Sequence, residues 1–211
     1  MEKFKNLSVE EFLARTSSSS PTPGGGTASA MMGALGASLI RMVAELTVGK
    51  KKYEGVWEEM KKHSGELQEV LIELEGLMDE DAEAFDNVMA AFSMPKEREE
   101  EKEARRRAIQ DAFKLATEVP LKTARAALRA LEIAPEIAEK GNKNSISDVG
   151  VGVLACKSAV EGALLNVKIN TPSIKDEEFR VRAEREAEEI GRRADELFKI
   201  TMEIVNSELG G

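Results

Sequence analysis

Residues 21 to 48 constrain the fold more than any other stretch, because they predict a long helix that is apolar on nearly every face. The segment opens with Pro-Thr-Pro and three glycines, Gly24, Gly25 and Gly26, and continues through small and apolar residues. A helix that is apolar all round is buried rather than laid on a surface. We therefore predict a protein built around a central helix, with Thr27 as its N-cap and a glycine loop before it.

The glycine loop has two interpretations. The free N–H groups and the positive dipole end of a helix N-terminus suit an anion or the polar edge of a ligand. The same residues would also serve as a tight entry into a crowded buried helix, and the spacing alone favours this structural interpretation. The loop follows no predicted strand and lacks both the P-loop lysine and the dinucleotide-binding spacing. A nucleotide-binding protein is therefore a remote alternative.

Composition limits the classes of protein that remain. Aromatic residues are 4% of the chain, so the core must be aliphatic, which favours helices over sheets. The net charge of −9 argues against a nucleic-acid binder. A single cysteine, Cys156, and a single histidine, His63, exclude an intrachain disulfide and a histidine-rich metal site. No signal peptide is apparent, and the apolar run from Ala28 to Ile40 is too short to cross a bilayer. We predict a cytoplasmic protein with no metal and no membrane partner.

Hydrophobic periodicity predicts helices along the whole chain, and hence an all-α, multihelical array of long and short helices around the buried one. We expect a single domain over residues 1–211. A capping box formed by Ser8 and Glu11 starts the first helix. The predicted segments are Val9–Arg15, the central helix to Val48, Glu54–Phe92, Glu97–Glu118, Pro120–Leu131, a short helix from Ala134-Pro135 to Gly141, Val149–Val167 and Asp176–Ser207.

Asp81 is the informative exception on the long helix of residues 54 to 92. It falls on the apolar stripe, one turn after Met78 and one turn before Phe85. An ionised carboxylate that faces a packed seam must be paired, or its pKa rises. Two interpretations stay open: an ion pair or cap to a neighbouring helix, and a tuned general acid or base.

Polar residues near the chain's second apolar helix form another candidate group. Asn142 lies in the loop that ends at Asp148, while Asn166 and Asn170 are four residues apart and share a helix face. Asp148 lies about 27 Å from Asn166 along a continuous helix. One chain therefore cannot gather them around a small group, although they could line one long ligand or belong to different sites.

Five segments of the chain form one ordered set: Pro21–Ala30, Asp79–Phe85, Met94–Lys96, Gly141-Asn142 with Ser147-Asp148, and Asn166-Val167 with Ile169-Asn170. Together they resemble the formiminotetrahydrofolate cyclodeaminase family, over nearly the whole chain and in family order. The family includes the C-terminal domain of bifunctional formiminotransferase-cyclodeaminase and stand-alone bacterial proteins, some of them methenyltetrahydrofolate cyclohydrolases. The loop Lys143–Ser145 departs from the bifunctional enzyme's pattern. The resemblance implies an all-α homodimer.

The chemistry implied by the resemblance is folate one-carbon transfer. The family reaction converts 5-formiminotetrahydrofolate to 5,10-methenyltetrahydrofolate and ammonia, as N10 attacks the formimino carbon and the ring closes. One carboxyl group can take the N10 proton and supply one to the departing nitrogen if its pKa is raised. The resemblance assigns that role to Asp81, with Asp79 in reserve. The reaction needs no metal, redox cofactor or covalent nucleophile, so we expect the folate substrate and no cofactor.

Substrate-binding roles are assigned on the same basis. The asparagines and Asp148 would meet the pterin edge, the glycine loop and Ser29 the middle of the ligand, and three lysines a glutamate or polyglutamate tail. These predicted residues are Gly24, Gly25, Gly26, Ser29, Lys50, Lys51, Lys52, Asn142, Asp148, Asn166 and Asn170.

Two rival functions remain open from the sequence. A methenyltetrahydrofolate cyclohydrolase would open the same ring with water and share the site and the fold. A helical dimer without catalysis, serving as a folate-binding or assembly module, is the rival from another class. Asp81 on an apolar seam argues against this second rival, because a buried carboxylate is costly in a purely structural helix.

Overall fold

The computed structural model describes residues 3–210, which form six α-helices and four short 3-10 helices, with no β-strand in this range. The predicted all-α fold is confirmed. The helices are α1 (Val9–Thr16), α2 (Gly25–Thr47), α3 (Trp57–Phe92), α4 (Glu99–Lys140), α5 (Ile146–Asn170) and α6 (Glu177–Gly210).

The central helix is α2, as predicted. It packs against α3, α4 and α5, and Ala30, Ala37 and Ile40 on it have no exposed surface. With 23 residues, α2 is long and apolar enough to cross a membrane, which corrects the expectation drawn from the shorter run of residues 28–40. In this fold more than half of that apolar stretch is buried against other helices, as in the core helix of a globular protein.

Glycines let α2 and α5 pack closely. A Cβ on Gly36 would stand 2.5 Å from Cys156 Sγ and 2.6 Å from the carbonyl oxygen of Gly152. A Cβ on Gly152 would in turn stand 2.8 Å from Ile40 Cγ1. Larger residues would push the backbones apart, so this contact depends on glycine at both positions. Antiparallel packing of the two helices brings the N-terminus of α2 beside the C-terminal half of α5.

The helix α4 departs most from the sequence prediction, because it runs unbroken through Pro120 and Pro135. An internal proline has no N–H, so the carbonyl four residues earlier loses its helical hydrogen bond. For Pro120 that carbonyl belongs to Ala116, and it accepts a hydrogen bond of 2.7 Å from Asn170 Nδ2 on α5. A side chain from another helix thus replaces the missing bond, and the predicted break at Pro120 was wrong.

Helix termini show both a confirmed and a corrected prediction. The capping box of α1 is present, since the Ser8 and Glu11 side chains each bond the other residue's backbone N–H. The N-cap of α2, however, is Gly24, and Thr27 lies inside the helix. The Thr27 hydroxyl donates to Asp81 on α3 and does not accept a hydrogen bond from a local N–H, so it does not cap the helix.

Candidate active site

A pocket of about 370 Å³ lies where the N-terminus of α2 meets the C-terminal third of α3 and the C-terminal end of α5. Its volume falls in the range of small-molecule sites. The lining combines the glycine loop, apolar side chains and a few polar groups. These residues are Pro21, Thr22, Gly24, Gly25, Gly26, Asp81, Ala84, Phe85, Val88, Phe113, Ala116, Asn166, Ile169 and Asn170.

Asp81 is the one ionisable side chain in this lining. Its Oδ2 accepts a hydrogen bond of 2.8 Å from Thr27 Oγ1. Burial raises the pKa of Asp81, while the hydroxyl and the backbone N–H of Thr27 act in the opposite direction. The net result is a carboxyl group that holds a proton more readily than an ordinary aspartate and lines an open pocket. Those are the properties of a general acid or base.

Gly26 makes room for this carboxylate. A Cβ on Gly26 would overlap the Asp81 carboxylate, whereas a Cβ on Gly25 would come only within 3.6 Å of Asn166 Nδ2. The N-terminus of α2 therefore meets an anion, and that anion is the side chain of Asp81 itself. The positive end of the helix dipole favours the ionised carboxylate and offsets part of the effect of burial.

Two amides from α5 complete the polar part of the pocket. Asn166 Nδ2 donates to the carbonyl oxygen of Gly162 at 2.8 Å, and Asn170 Nδ2 donates to that of Ala116 at 2.7 Å. These bonds hold each amide in place and leave its oxygen available to a ligand. The structure therefore brings both predicted asparagines beside Asp81 and the glycine loop.

Asp79 and Ser29 lie outside the pocket lining. Asp79 Oδ1 accepts a hydrogen bond of 2.7 Å from the backbone N–H of Phe4, which links the N-terminal 3-10 helix to α3. Ser29 is fully buried, and its hydroxyl donates to the carbonyl oxygen of Gly25 at 2.7 Å. Both contacts stabilise the fold. Of the two predicted carboxylates, Asp81 is therefore the one placed to contact a ligand in the pocket.

The remaining predicted residues lie at the opposite end of α2, about 34 Å along a helix of this length. Asn142 is buried there; its N–H donates to Thr47 Oγ1 at 2.9 Å, and its side-chain oxygen caps the following 3-10 turn. Asp148 sits in the first turn of α5. The structure does not bring these residues into the Asp81 pocket of the same chain. The lysines at this far end are Lys50, Lys51 and Lys52.

Sequence reasoning missed the role of Thr27 and most of the apolar lining. Thr27 directly follows the glycine loop, so its place in the family motif was a usable signal. Phe113 lies on a highly charged helix and gave no local signal. Its neighbour Phe85 was predicted as part of the α3 seam but not as a wall of the site.

A larger cleft of about 650 Å³ lies between α5 and α6. Its five charged residues are all exposed and of both signs, so none has the perturbed environment of Asp81. The smaller pocket is therefore the candidate active site. The charged residues of the cleft are Lys168, Glu184, Glu188, Arg192 and Asp195.

Comparison with known proteins shows the family of the chain. Residues 8–189 match the family model described as formiminotransferase-cyclodeaminase. A methenyltetrahydrofolate cyclohydrolase from Methylorubrum extorquens is 42% identical over 204 residues, which is 97% of this chain and 98% of the relative. A formimidoyltransferase-cyclodeaminase from Rattus norvegicus is 32% identical over 175 residues, or 83% of this chain, but this match spans only 32% of the rat protein.

A solved structure shows the same fold. The crystal structure of formiminotetrahydrofolate cyclodeaminase from Thermotoga maritima superposes with a TM-score of 0.88 and 31% sequence identity. The match covers 97% of this chain and 98% of that one. Similarity of this extent covers the whole helical array, including α2 and α5.

Proposed function

Because the chain belongs to the formiminotransferase-cyclodeaminase family, we propose that Asp81 moves protons while the methenyl bridge of 5,10-methenyltetrahydrofolate is closed or opened. The observation that carries this proposal is the Asp81 carboxyl group, partly buried, raised in pKa and directed into a ligand-sized pocket. A carboxyl whose pKa lies nearer neutrality can both accept and return a proton within one turnover.

Ring closure is the reaction that the family resemblance implies, although the sequence does not separate it from ring opening. N10 of 5-formiminotetrahydrofolate attacks the formimino carbon and forms the new C–N bond, and Asp81 takes the N10 proton. Asp81 then protonates the exocyclic nitrogen, whose bond to the carbon breaks as ammonia leaves. The exocyclic nitrogen starts with one hydrogen, so it also takes a second proton from solvent before it departs as NH3. The methenyl product then carries one positive charge.

Ring opening by water is the second candidate, and the 42% identity to a cyclohydrolase along almost the full chain favours it. In this direction Asp81 takes a proton from water as its oxygen attacks the methenyl carbon. Asp81 returns that proton to one ring nitrogen, whose bond to the carbon breaks. The hydroxyl of the intermediate releases its remaining proton to solvent as the C=O bond forms, which leaves a formyl group on the other nitrogen. The two reactions share the carbon, the carboxylate and the pocket.

The lining of the pocket suits a flat heterocycle. Phe85, Phe113 and Ile169 supply apolar walls, while Asn166 and Asn170 supply amide oxygens. A pterin has apolar faces and an edge of alternating N–H and C=O groups, which matches such a combination. We place the pterin against these walls with the methenyl carbon near Asp81.

A homodimer is also part of the proposal. The outer faces of α2 and α5 carry large apolar side chains that the rest of the chain leaves exposed. An isologous dimer through this face would cover it, and antiparallel pairing would bring the partner's far end of α2 towards the pocket. These side chains are Leu35, Met42, Leu46, Val151, Leu154, Leu165 and Ile169.

The two reactions are distinguished by one pair of assays on the purified protein. With 5-formiminotetrahydrofolate, a cyclodeaminase raises the absorbance of the methenyl product and releases an equal amount of ammonia. With 5,10-methenyltetrahydrofolate, a cyclohydrolase removes that absorbance faster than buffer alone. Folate binding without turnover in either assay would contradict the catalytic proposal and favour the binding module.

A further inference from the structure

A second cluster of ionisable side chains lies between α3 and α4. Its centre is His63, the only histidine of the chain, which is 8% exposed. His63 Nδ1 lies 3.1 Å from Glu66 Oε2, and His63 Nε2 lies 2.8 Å from Glu136 Oε2. Glu59 Oε1 lies 3.9 Å from the same Nε2 and 2.5 Å from Lys140 Nζ. Along α3 this cluster is about 27 Å from Asp81, so it is separate from the proposed active site.

Both ring nitrogens of His63 face carboxylates. A carboxylate only accepts hydrogen bonds, and a neutral imidazole donates from one nitrogen only. If Nδ1–H donates to Glu66, then Nε2 presents a lone pair towards Glu136 Oε2, and these two atoms can bind one metal ion. A carboxylate on the far nitrogen is also the usual means of orienting a metal-binding histidine.

The spacing of the ligand atoms suits a small divalent ion. One ligand atom from each of Glu59, His63 and Glu136 lies within 4.8 Å of the others. A tetrahedral ion with bonds of about 2.0–2.1 Å holds its ligands about 3.3 Å apart. The observed separations from Nε2, 2.8 Å and 3.9 Å, lie on either side of that value. Rotation of two half-buried or exposed glutamates is enough to reach it.

Space and helix geometry support the same assignment. Glu59 and His63 are four residues apart on α3 and share a face, while Glu136 comes from α4. A cavity of about 300 Å³ borders His63 and Glu136 and can admit an ion with its water ligands. One imidazole with two carboxylates is a donor set that suits zinc and other first-row divalent metals.

We propose that Glu59, His63 and Glu136 bind one divalent transition-metal ion, with Glu66 orienting the imidazole. The ion takes the place of the Lys140 ammonium between the glutamates and joins α3 to α4. The sequence prediction of no metal rested on the count of histidines and on zinc spacing. Neither criterion detects a site with one histidine and a ligand 73 residues away on another helix.

The test is calorimetric titration of ZnCl₂ into tag-free, chelator-treated full-length protein. We expect one saturable site per chain, and Glu136→Gln or Glu59→Gln should weaken it at least about tenfold, as expected when a ligand of the ion is lost. Lys140→Met should strengthen binding, because the competing ammonium is gone. Glu73→Gln is the matched control: it breaks another α3–α4 ion pair, with Arg129, and should leave zinc affinity unchanged.

Two results of the titration would contradict the proposed metal site. No saturable binding to the wild type, or equal binding by Glu136→Gln, would overturn the site and leave His63 as a structural hydrogen-bond link between α3 and α4. Co²⁺ provides a second readout, since it should quench the single tryptophan, Trp57, two residues before Glu59. Both glutamates reach the surface, so their variants should fold even where a His63 variant does not.

Discussion

At the scale of single residues, the surroundings of Asp81 have opposing effects on its pKa. Burial favours its protonated form, whereas the Thr27 hydroxyl and the helix N-terminus favour the carboxylate. The stripe pattern of α3 was enough to single out Asp81 from the sequence. It could not show the partner, because Thr27 is 54 residues away and its local context resembles an N-cap.

The first prediction concerns Thr27→Val, which keeps the shape of the side chain and removes the donor. If catalysis needs the Asp81 carboxylate as a base, the enzyme loses activity as the pH falls through the pKa of Asp81. Loss of the hydrogen bond that favours the carboxylate should raise the pKa of Asp81 further. The acid limb of kcat/KM should therefore move to higher pH, as measured by rate profiles between pH 4 and 8.

Thr27→Ser is the control, because it retains the hydroxyl. Its acid limb should stay with that of the wild type. An unchanged limb in Thr27→Val, or a shift to lower pH, would contradict the role given to this hydrogen bond.

The second prediction compares two neighbouring glycines. Gly26→Ala should displace the Asp81 carboxylate and reduce kcat about 100-fold, since a shift of about 1 Å in a catalytic group has that effect. Gly25→Ala meets only an ordinary contact and should keep kcat within about threefold of the wild type. The measurement is the steady-state kcat of both variants, with circular dichroism to check that each one is folded. Equal losses in both variants would show that the whole loop, rather than clearance for Asp81, matters.

At the scale of helices, the sequence predicted the type of the elements better than their continuity, since it divided the single helix α4 into three segments. Capping and periodicity are local signals, and they located α1, α2 and α3 to within a few residues. Continuity of α4 depends instead on a contact between Asn170 and Ala116, across 54 residues of chain. A residue predicted as a ligand-binding amide thus also supports the helix that forms one wall of the pocket.

The third prediction tests this dual role of Asn170 through a double-mutant cycle with Pro120. Asn170→Ala should lower the free energy of unfolding by about 1 kcal/mol, because the partly buried Ala116 carbonyl loses its hydrogen-bond partner. In a Pro120→Ala background the restored N–H can bond that carbonyl. The cost of Asn170→Ala should then fall by about 1 kcal/mol in urea denaturation. Additive effects of the two substitutions would refute the replacement of one bond by the other.

At the scale of the whole molecule, the predicted binding residues divide between the two ends of α2. Sequence order placed them in one family pattern but carried no distance, so the separation appeared only in three dimensions. The glycine loop, Asp81 and the α5 asparagines meet in one pocket. Lys50, Asn142 and Asp148 lie at the other end, where a second chain could bring them near that pocket.

The fourth prediction concerns the apolar face of α2 and α5. Leu154→Glu places a charge within this face and should convert a dimer to a monomer in sedimentation velocity runs at micromolar concentration. Ile72→Glu, an equally exposed apolar position on α3, is the control and should leave the dimer intact. A monomeric wild type, or a Leu154→Glu variant that still dimerises, would rule out this face as the interface.

The most direct test of the central claim is the rate of change of methenyltetrahydrofolate absorbance in wild type, Asp81→Asn and Asp79→Asn, each with both folate substrates. Asp79→Asn keeps an acceptor for the Phe4 N–H, so it controls for a lost charge two residues away. We predict near-normal turnover in Asp79→Asn and a loss of at least about 100-fold in a folded Asp81→Asn. Near-normal turnover in Asp81→Asn would contradict the account.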